Sequence, residues 1–133
     1  MEIIITQWAL DSYLDLIVQK VFTRQAYLTV IRPDVMLLRN YPNEPKFQNR
    51  KFWSPANDMN GKIIPDGFKM KWHQVGNGLV QLRLTVGFWG GDCFLCEAYV
   101  EKDDKVDKRR LSKFKTYLEL IRQGRYTSRG KLS

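Results

Sequence analysis

Residues 68–88 read FKMKWHQVGNGLVQLRLTVGF, and the alternation of their apolar and polar side chains predicts a β-hairpin. In the first arm, apolar residues alternate with Lys69, Lys71 and His73, which is the period of two that a half-buried strand requires. In the second arm, aliphatic residues alternate with polar ones that include Arg83. The hairpin is therefore expected to have one apolar face and one cationic face.

The connection between the two arms determines their register. A three-residue Gly-Asn-Gly loop at 76–78 tolerates positive φ and pairs Trp72 with Leu82 and Lys71 with Arg83, so that each face stays uniform. A two-residue Asn-Gly turn would instead pair Trp72 with Arg83 and mix the faces. We therefore predict the three-residue loop. It sets two cations side by side, which is destabilising unless an anion lies between them.

The cationic face has two interpretations, a solvated surface or a binding site for an anion. The second is favoured because the chain's one histidine clusters there with Lys69, Lys71 and Arg83. A net charge of +8 and a pI near 9.6 also favour a polyanionic partner, nucleic acid first and an acidic protein second. With 133 residues, 44% of them hydrophobic, a single globular domain over 1–133 is expected.

Targeting signals and cofactor motifs are not predicted. No apolar run reaches the length of a membrane span, and the first residues lack the features of a signal peptide, so we expect a cytoplasmic protein without a membrane anchor. Cys93 and Cys96 have C-x-x-C spacing, but in a strand they point to opposite faces. We therefore expect buried or edge thiols rather than a redox pair or a zinc site, and no metal or other cofactor.

Two helices are predicted before the hairpin. The first follows a strand at residues 1–5 and has Thr6 as its N-cap. The second begins near Thr23 and is interrupted by Pro33, where it either kinks or gives way to a new helix. The apolar residues at helical spacing are Leu10, Leu14, Ile17, Val18 and Val21 in the first helix and Tyr27, Ile31, Val35 and Leu38 in the second.

A last helix follows the sheet. Its N-cap is Asp103, Asp104 or Asp107, and Gly124 ends it. Its predicted buried stripe consists of Leu111, Phe114, Leu118 and Ile121. Beyond it, residues 125–133 read as a basic tail.

Residues 41–67 form a long segment rich in Pro, Asn, Asp and Lys, and an irregular connection of this length is typical of a functional loop. Basic and aromatic residues are interleaved there, namely Lys46, Phe47, Arg50, Lys51, Phe52 and Trp53. They could grip nucleic acid by charge and stacking. Equally, the aromatic residues could attach the loop to the core.

Residues 93–102 are predicted to form a further strand. Its inward side chains are expected to be Phe94, Cys96, Ala98 and Val100. The polar face would then carry Glu97, Tyr99 and Glu101 beside Arg83, with either Glu97 or Tyr99 directly opposite Arg83, depending on the length of the preceding turn.

These elements predict an α+β domain. A twisted antiparallel sheet would have its apolar face covered by the first two helices and its basic face left open, with a C-terminal helix beyond. The side chains expected to be buried in the sheet are Phe68, Met70, Trp72, Leu82, Leu84, Phe94, Cys96 and Val100. Because Arg83 projects from the polar face, its replacement by alanine is expected at this stage to spare the fold.

The order of elements, together with short motifs, resembles the RelE/ParE superfamily of toxins from bacterial toxin–antitoxin pairs, most closely its HigB-like branch. Residues 3–17, IIITQWALDSYLDLI, look like the family's short strand and Ala-containing first helix. Residues 68–71, FKMK, are similar to its basic strand, and residues 82–84, LRL, to its Arg-centred strand. Residues 98–102, AYVEK, are similar to the Phe-x-Lys-Lys segment that precedes the terminal helix.

The chain departs from the family pattern at several positions. The segment 41–67 is longer than usual, Lys71 stands where arginine is more common, and Glu101 replaces the first lysine of the Lys-Lys pair. Residues 83–86 also lack the tyrosine that some members have three positions after the arginine.

The resemblance implies a toxin that cleaves messenger RNA, commonly on the ribosome, without a metal, thereby inhibits translation, and is silenced by a cognate antitoxin. Such cleavage needs a base, an acid and cations that stabilise charge on the phosphate. The catalytic candidates are Lys71 and Arg83 as cations and His73, Glu97 and Tyr99 as proton-handling groups. The nucleic-acid-binding candidates are Lys69, Lys102, Arg109, Arg50 and Trp53.

Two alternatives remain open on the same residues. One is a ParE-like inhibitor of DNA gyrase without nuclease activity, since one fold hosts both functions. The other is a non-catalytic basic module that binds RNA or an acidic protein.

Overall fold

The computed structural model describes residues 1–75 and 80–133. Within these ranges the elements are β1 (Ile3–Thr6), α1 (Gln7–Val18), α2 (Arg24–Ala26), α3 (Arg32–Met36), β2 (Trp53–Asn57), β3 (Ile63–Val75), β4 (Val80–Trp89), β5 (Asp92–Val100), α4 (Asp104–Arg122) and β6 (Ser128–Lys131). A π-helical turn, Tyr27–Ile31, joins α2 to α3, and short 3-10 helices follow at Leu37–Asn40 and Pro45–Gln48. The predicted Gly-Asn-Gly connection at 76–78 lies outside the described residues.

The strands of the described residues form one six-stranded sheet with the order β2-β3-β4-β5-β1-β6. β1 lies parallel to β5, and every other neighbouring pair is antiparallel. The α+β class is confirmed. None of the helices in these ranges combines the length and apolarity needed to cross a membrane.

The predicted register of the hairpin is confirmed. Lys71 lies opposite Arg83, Trp72 opposite Leu82, and Met70 opposite Leu84. Trp72 and Leu82 are buried on one face of the sheet, and the two cations share the other. A bulge interrupts the ladder beyond Trp72.

Helices cover both faces of the sheet, so the prediction of an open basic face was wrong. The expected stripe of α4 is buried, but it packs on the cationic face of the sheet. The second core, which lies between α4 and this face of the sheet, contains Ile4, Ala56, Ile64, Phe94, Cys96, Leu111, Phe114, Leu118 and Ile121. The opposite face packs against α1 and the helical segment 24–40, as predicted for the two N-terminal helices.

A bulge at Cys96 explains how α4 finds an apolar surface there. Thr85 pairs with Glu97 and Val86 with Leu95, so Cys96 is the extra residue of β5. The bulge reverses the phase of the strand, which turns Phe94 and Cys96 toward α4. The predicted single inward side of β5 was therefore wrong, because Phe94 and Cys96 face α4 whereas Ala98 and Val100 pack on the other core.

Most of the expected burial in the sheet is confirmed. Of the predicted side chains, Phe68 and Val100 are half-buried and pack against the first core, while the others are buried. Cys93 and Cys96 are free, buried thiols in different cores, as their spacing predicted.

The rotation of α1 differs from the prediction. Thr6 caps the helix as expected, and its hydroxyl also donates to the carbonyl of Leu95 at 2.7 Å. These contacts turn Ala9 and Leu16 toward the sheet. Most of the predicted stripe faces outward instead, with Leu14 53%, Ile17 42% and Val18 78% exposed, whereas Leu10 is half-buried and Val21 packs against the first core.

The long segment 41–67 is structured rather than a loop. β2 pairs with β3 at the edge of the sheet, and Trp53 is buried against Phe68 with ring centroids 4.9 Å apart. The interpretation that the aromatic residues attach this segment to the core is the one the structure supports. Similarly, the predicted basic tail contains β6, which pairs with β1. Pro33 lies in the first turn of α3, which continues directly from the π-helical turn, since the backbone at Ile31 and Arg32 stays helical.

Replacing Gly87 by alanine is expected to destabilise the fold by about 1–3 kcal/mol, since the added methyl group overpacks the core. A Cβ at this position would lie 2.6 Å from Cδ1 of Leu118. Urea unfolding would measure the loss. If the clash is the cause, adding Leu118→Ala to Gly87→Ala should cost less than the sum of the two single substitutions, and additive costs would contradict this explanation.

Candidate functional site

The first turns of α4 cross the cationic face of the hairpin and enclose a group of polar side chains, which we name the ionic cluster. Its members are Lys69, Lys71, Arg83, Tyr99, Glu101 and Asp107. Lys69 Nζ lies 3.2 Å from Asp107 Oδ2, and Arg83 Nη2 lies 3.2 Å from Glu101 Oε2. The hydroxyl of Tyr99 donates to Asp107 Oδ1. Two strand cations and two carboxyl groups therefore meet beneath the helix.

Arg83 is held firmly within the cluster. Its side chain is 6% exposed, and Nη1 donates to the carbonyls of Leu82 at 3.2 Å and Trp72 at 3.4 Å. Nη2 donates to Gln81 Oε1 at 3.3 Å and to Glu101. Above its folded-state pKa, Glu101 is thus the anion that the neighbouring cations required. The expectation that Arg83 could be removed without harm to the fold was wrong, because its charge is buried and paired.

The carboxyl groups of Glu101 and Asp107 converge on Lys69, whose Nζ lies 4.0 Å from Glu101 Oε1 and 3.2 Å from Asp107 Oδ2. Burial, together with the hydrogen bond and negative charge of Asp107, raises the pKa of Glu101. Burial also acts to raise the pKa of Asp107, but hydrogen bonds from Tyr99 and Glu101 and the ammonium of Lys69 outweigh it and lower that pKa. The pair therefore holds one proton, mainly on Glu101, over the pH range between the two pKa values.

Lys71 differs from the other cations of the cluster. It is half-buried, and it makes no salt bridge with a carboxylate among the described residues. Burial lowers its pKa, and the positive charges of Lys69 and Arg83 lower it further. An anion bound from solvent would relieve this repulsion. Lys71 is therefore the residue of the cluster that we expect to bind an anionic ligand.

Tyr99 lies directly opposite Arg83, which resolves the alternative between Glu97 and Tyr99. Its side chain is buried, and burial together with the hydrogen bond to Asp107 raises its pKa far above the ordinary value. The phenol stays protonated and orients Asp107. The prediction that Tyr99 is a proton-handling group in catalysis stays a prediction.

His73 reaches the cluster through Gln81. Its Nδ1 lies 2.9 Å from Gln81 Oε1, the same oxygen that accepts from Arg83. Its Nε2 lies against the carbonyl of Lys51. Because protein groups contact both ring nitrogens, His73 is placed to support Gln81 and Arg83 rather than to transfer a proton to a substrate.

The other predicted site residues lie away from the cluster. Glu97, Lys102 and Arg109 line a groove on the far side of α4 that meets the cluster at Tyr99. Trp53 is part of the core, so the prediction that its ring stacks on nucleic acid was wrong. Of the two residues considered for the position opposite Arg83, Glu97 is not the one that occupies it: Arg83 pairs with Glu101, and Glu97 pairs with Arg110.

A cleft of about 770 Å³ leads to the cluster between β2 and α4. Lys69 and Asp107 line it, together with two exposed cations, Arg50 and Lys108. Of the predicted nucleic-acid-binding residues, Lys69 and Arg50 therefore share one cleft with an acid of the cluster.

Sequence reasoning missed the roles of Glu101 and Asp107, although one signal was present. Asp103, not Asp107, caps α4 by accepting from Val106 N at 2.8 Å. Asp107 stands four residues before Leu111 and so continues the buried stripe of the helix. A carboxylate on a buried stripe indicates a buried cation as its partner.

No family model, curated protein or solved structure matches the chain. In the ranges that the structure describes, no three side chains of His, Cys, Asp or Glu converge as metal ligands would. The ionic cluster is therefore interpreted from its own geometry.

Replacing Glu101 by glutamine is expected to change stability in a pH-dependent way. A raised carboxyl pKa means that the contribution of Glu101 to stability is fully present below its ordinary value of 4.5 and is lost as the pH rises through the folded-state pKa. Glutamine keeps the neutral form at every pH. Urea unfolding should show parent and variant alike in acid and the variant more stable at neutral pH; a difference that does not vary with pH would contradict the shared proton.

Proposed function

We propose that the protein binds RNA along the basic cleft and cleaves it at the ionic cluster without a metal, as the toxin of a toxin–antitoxin pair of the RelE/ParE type. The observation that supports this most directly is the proton-sharing pair of Glu101 and Asp107 next to a cation, Lys71, that no carboxylate of the described residues neutralises. An acid, a base and a phosphate-binding cation are what cleavage through the 2′-hydroxyl requires.

The two carboxyl groups divide the proton transfers. Asp107, whose pKa is lowered, is the base that accepts the proton of the 2′-hydroxyl. Glu101, whose pKa is raised, carries the proton that the leaving 5′-oxygen receives at pH values below that pKa. The oxygen of the 2′-hydroxyl attacks phosphorus, the bond to the 5′-oxygen breaks, and a cyclic phosphate is left. Lys71 binds the phosphate while Arg83 and Lys69 hold the two carboxyl groups in place.

The substrate in the cell would be messenger RNA, cut on the ribosome or free of it in the cytoplasm. The flanking phosphates would be bound by the exposed cations of the cleft, Arg50 and Lys108. A cognate antitoxin would silence the protein by covering this basic surface.

A non-catalytic RNA-binding module is the second candidate. It is favoured by the burial of Arg83 and Tyr99 and by the salt bridges of Lys69 and Arg83, which are also typical of a structural network. In that case the cluster would fix α4 on the sheet, and the exposed cations alone would contact RNA.

One experiment distinguishes these functions. The parent and the Glu101→Gln variant would be induced in bacterial cells, with RNA 5′ ends and plasmid supercoiling measured in parallel. New 5′ ends with the parent and far fewer with the variant support the nuclease. Altered supercoiling with intact RNA would identify a gyrase inhibitor. If the purified protein binds RNA in the presence of EDTA without cutting it, it is a binding module.

A further inference from the structure

A second groove, which meets the ionic cluster at Tyr99, runs between α1 and α4 along β5, and we name it the α1–α4 groove. Its volume is about 1140 Å³. Asp11 and Asp15 line it on the α1 side, and Arg109 and Lys113 line it on the α4 side. Glu97 lies among the β5 residues between them. The groove therefore has one acidic wall and one basic wall, with a carboxylate at its base.

Glu97 is the unexplained group in this groove. Its side chain is 9% exposed, and Oε2 accepts from Arg110 Nη1 at 3.0 Å. Oε1 is buried, and no donor in the described part of the chain reaches it. Buried carboxylate oxygens nearly always have donors, so this half-satisfied carboxylate indicates that a ligand supplies the missing one. Arg110 lines the same groove and is 39% exposed, so it can leave Glu97 without disturbing the core.

Once Arg110 leaves, both oxygens of Glu97 are available, and the carboxylate then selects a ligand with two adjacent N–H donors. Guanine has this arrangement in N1–H and its 2-amino group, whereas adenine and cytosine offer a single amino group and uracil a single N–H on that edge. We propose that the α1–α4 groove is a subsite for a guanine nucleotide, with Glu97 accepting both donors of the base. This inference rests on the proposed function in one respect, namely that the guanine belongs to the RNA substrate.

The surroundings of Glu97 fit the rest of a nucleotide. Trp8 and Tyr117 line the groove as a stacked pair with ring centroids 4.1 Å apart, and they provide an aromatic surface for the base. Burial raises the pKa of Tyr117, and the negative charge of Glu97, which lines the same groove, raises it further.

The walls of the groove orient the phosphate. Arg109 and Lys113 are exposed on α4 and attract it, while Asp11 and Asp15 repel it from the α1 side. A protein partner that inserted an arginine side chain would also satisfy Glu97, but its positive charge would meet the basic wall. Charge therefore favours a nucleotide over an arginine.

The test is a titration of isotope-labelled protein with GMP, IMP and AMP at low salt, followed by amide chemical shifts. IMP lacks only the 2-amino group of GMP, so we expect GMP to bind about tenfold more tightly than IMP or AMP. Glu97→Gln, which can accept only one of the two donors, should remove that advantage. Lys113→Ala should weaken GMP but not guanosine, and Lys105→Ala, an exposed lysine outside the groove lining, should change neither.

Equal affinities for the three nucleotides would overturn the inference. So would tighter binding of an arginine-containing peptide than of GMP. If Glu97→Gln fails to fold, the Lys113→Ala comparison and the GMP-to-IMP ratio of the parent still decide the question. Failure of this inference can be distinguished from failure of the proposed nuclease. If the protein cuts RNA but does not prefer GMP, only the guanine subsite is excluded. If it binds GMP but cuts no RNA, only the nuclease activity is excluded.

Discussion

Replacing Arg83 by alanine should destabilise the protein by about 3 kcal/mol, the lower end of the range for breaking a buried ion pair, because the Glu101 carboxyl group left behind is 26% exposed. The Arg83 side chain is 6% exposed. Its guanidinium donates to two backbone carbonyl groups and also to the side chains of Gln81 and Glu101. Its removal would strand the carboxyl group of Glu101 beside Asp107. The change is measured by urea unfolding, where the midpoint should fall markedly while the dependence on urea concentration stays the same.

Lys71→Ala is the matched control, since Lys71 is the neighbouring cation in the opposite strand but lacks a salt bridge. Its replacement should change stability by about 0.5 kcal/mol at most, as for other surface positions. Equal losses for the two variants would show that the network around Arg83 does not hold the fold. If Glu101→Gln stabilises the Arg83→Ala protein more than it stabilises the parent, the stranded carboxyl group is the cause of the loss.

The hairpin register could be predicted from the sequence because a shift by one residue would carry Trp72 and Leu82 to the polar face. The side of the sheet that each β5 side chain faces could not be predicted, because α4 covers the second face of this strand. Residues 93–96 are consequently apolar on both sides of the strand, and alternation no longer indicates the phase. The bulge at Cys96 leaves no separate sign in such a run.

The rotation of α1 was not predictable from its apolar spacing, for a different reason. Thr6 and Ser12 hydrogen-bond to β5, Thr6 through the carbonyl of Leu95 and Ser12 through the N–H of Ala98 at 2.9 Å. These polar anchors turn the helix so that its longest apolar stripe faces outward. A stripe alone does not indicate whether a core or solvent will meet it.

The candidate site was half predictable. Lys71 and Arg83 follow from the hairpin alone, whereas Asp107 comes from a helix whose placement depended on the unpredicted bulge. Glu101 was visible as a polar-face residue, but its role required Asp107 beside it. Contacts within one hairpin can thus be predicted from the sequence pattern. Contacts between distant elements can be predicted only where the buried stripe of a helix includes a charged residue.

Lys71→Ala should reduce RNA cleavage by about 10²- to 10³-fold, the range found when one electrostatic donor is removed from a transition state. Lys71 is half-buried, and its pKa is lowered by burial and by Lys69 and Arg83, so it is the cation of the cluster that gains most from an incoming phosphate. Cleavage would be measured with a 5′-labelled RNA, at a protein concentration that saturates binding, so that a weaker affinity is not mistaken for slower chemistry.

Two controls give this prediction its specificity. Lys71→Arg keeps the charge and should retain most of the activity, whereas Lys131→Ala, on the exposed strand β6, should leave cleavage unchanged. Because Lys71 is not needed for the fold, an inactive but stable Lys71→Ala protein would separate catalysis from stability, which Arg83→Ala cannot do. A folded Lys71→Ala protein that cuts RNA at the parental rate would exclude the ionic cluster as the phosphate site and direct attention to the exposed cations, Arg50 and Lys108, of the neighbouring cleft.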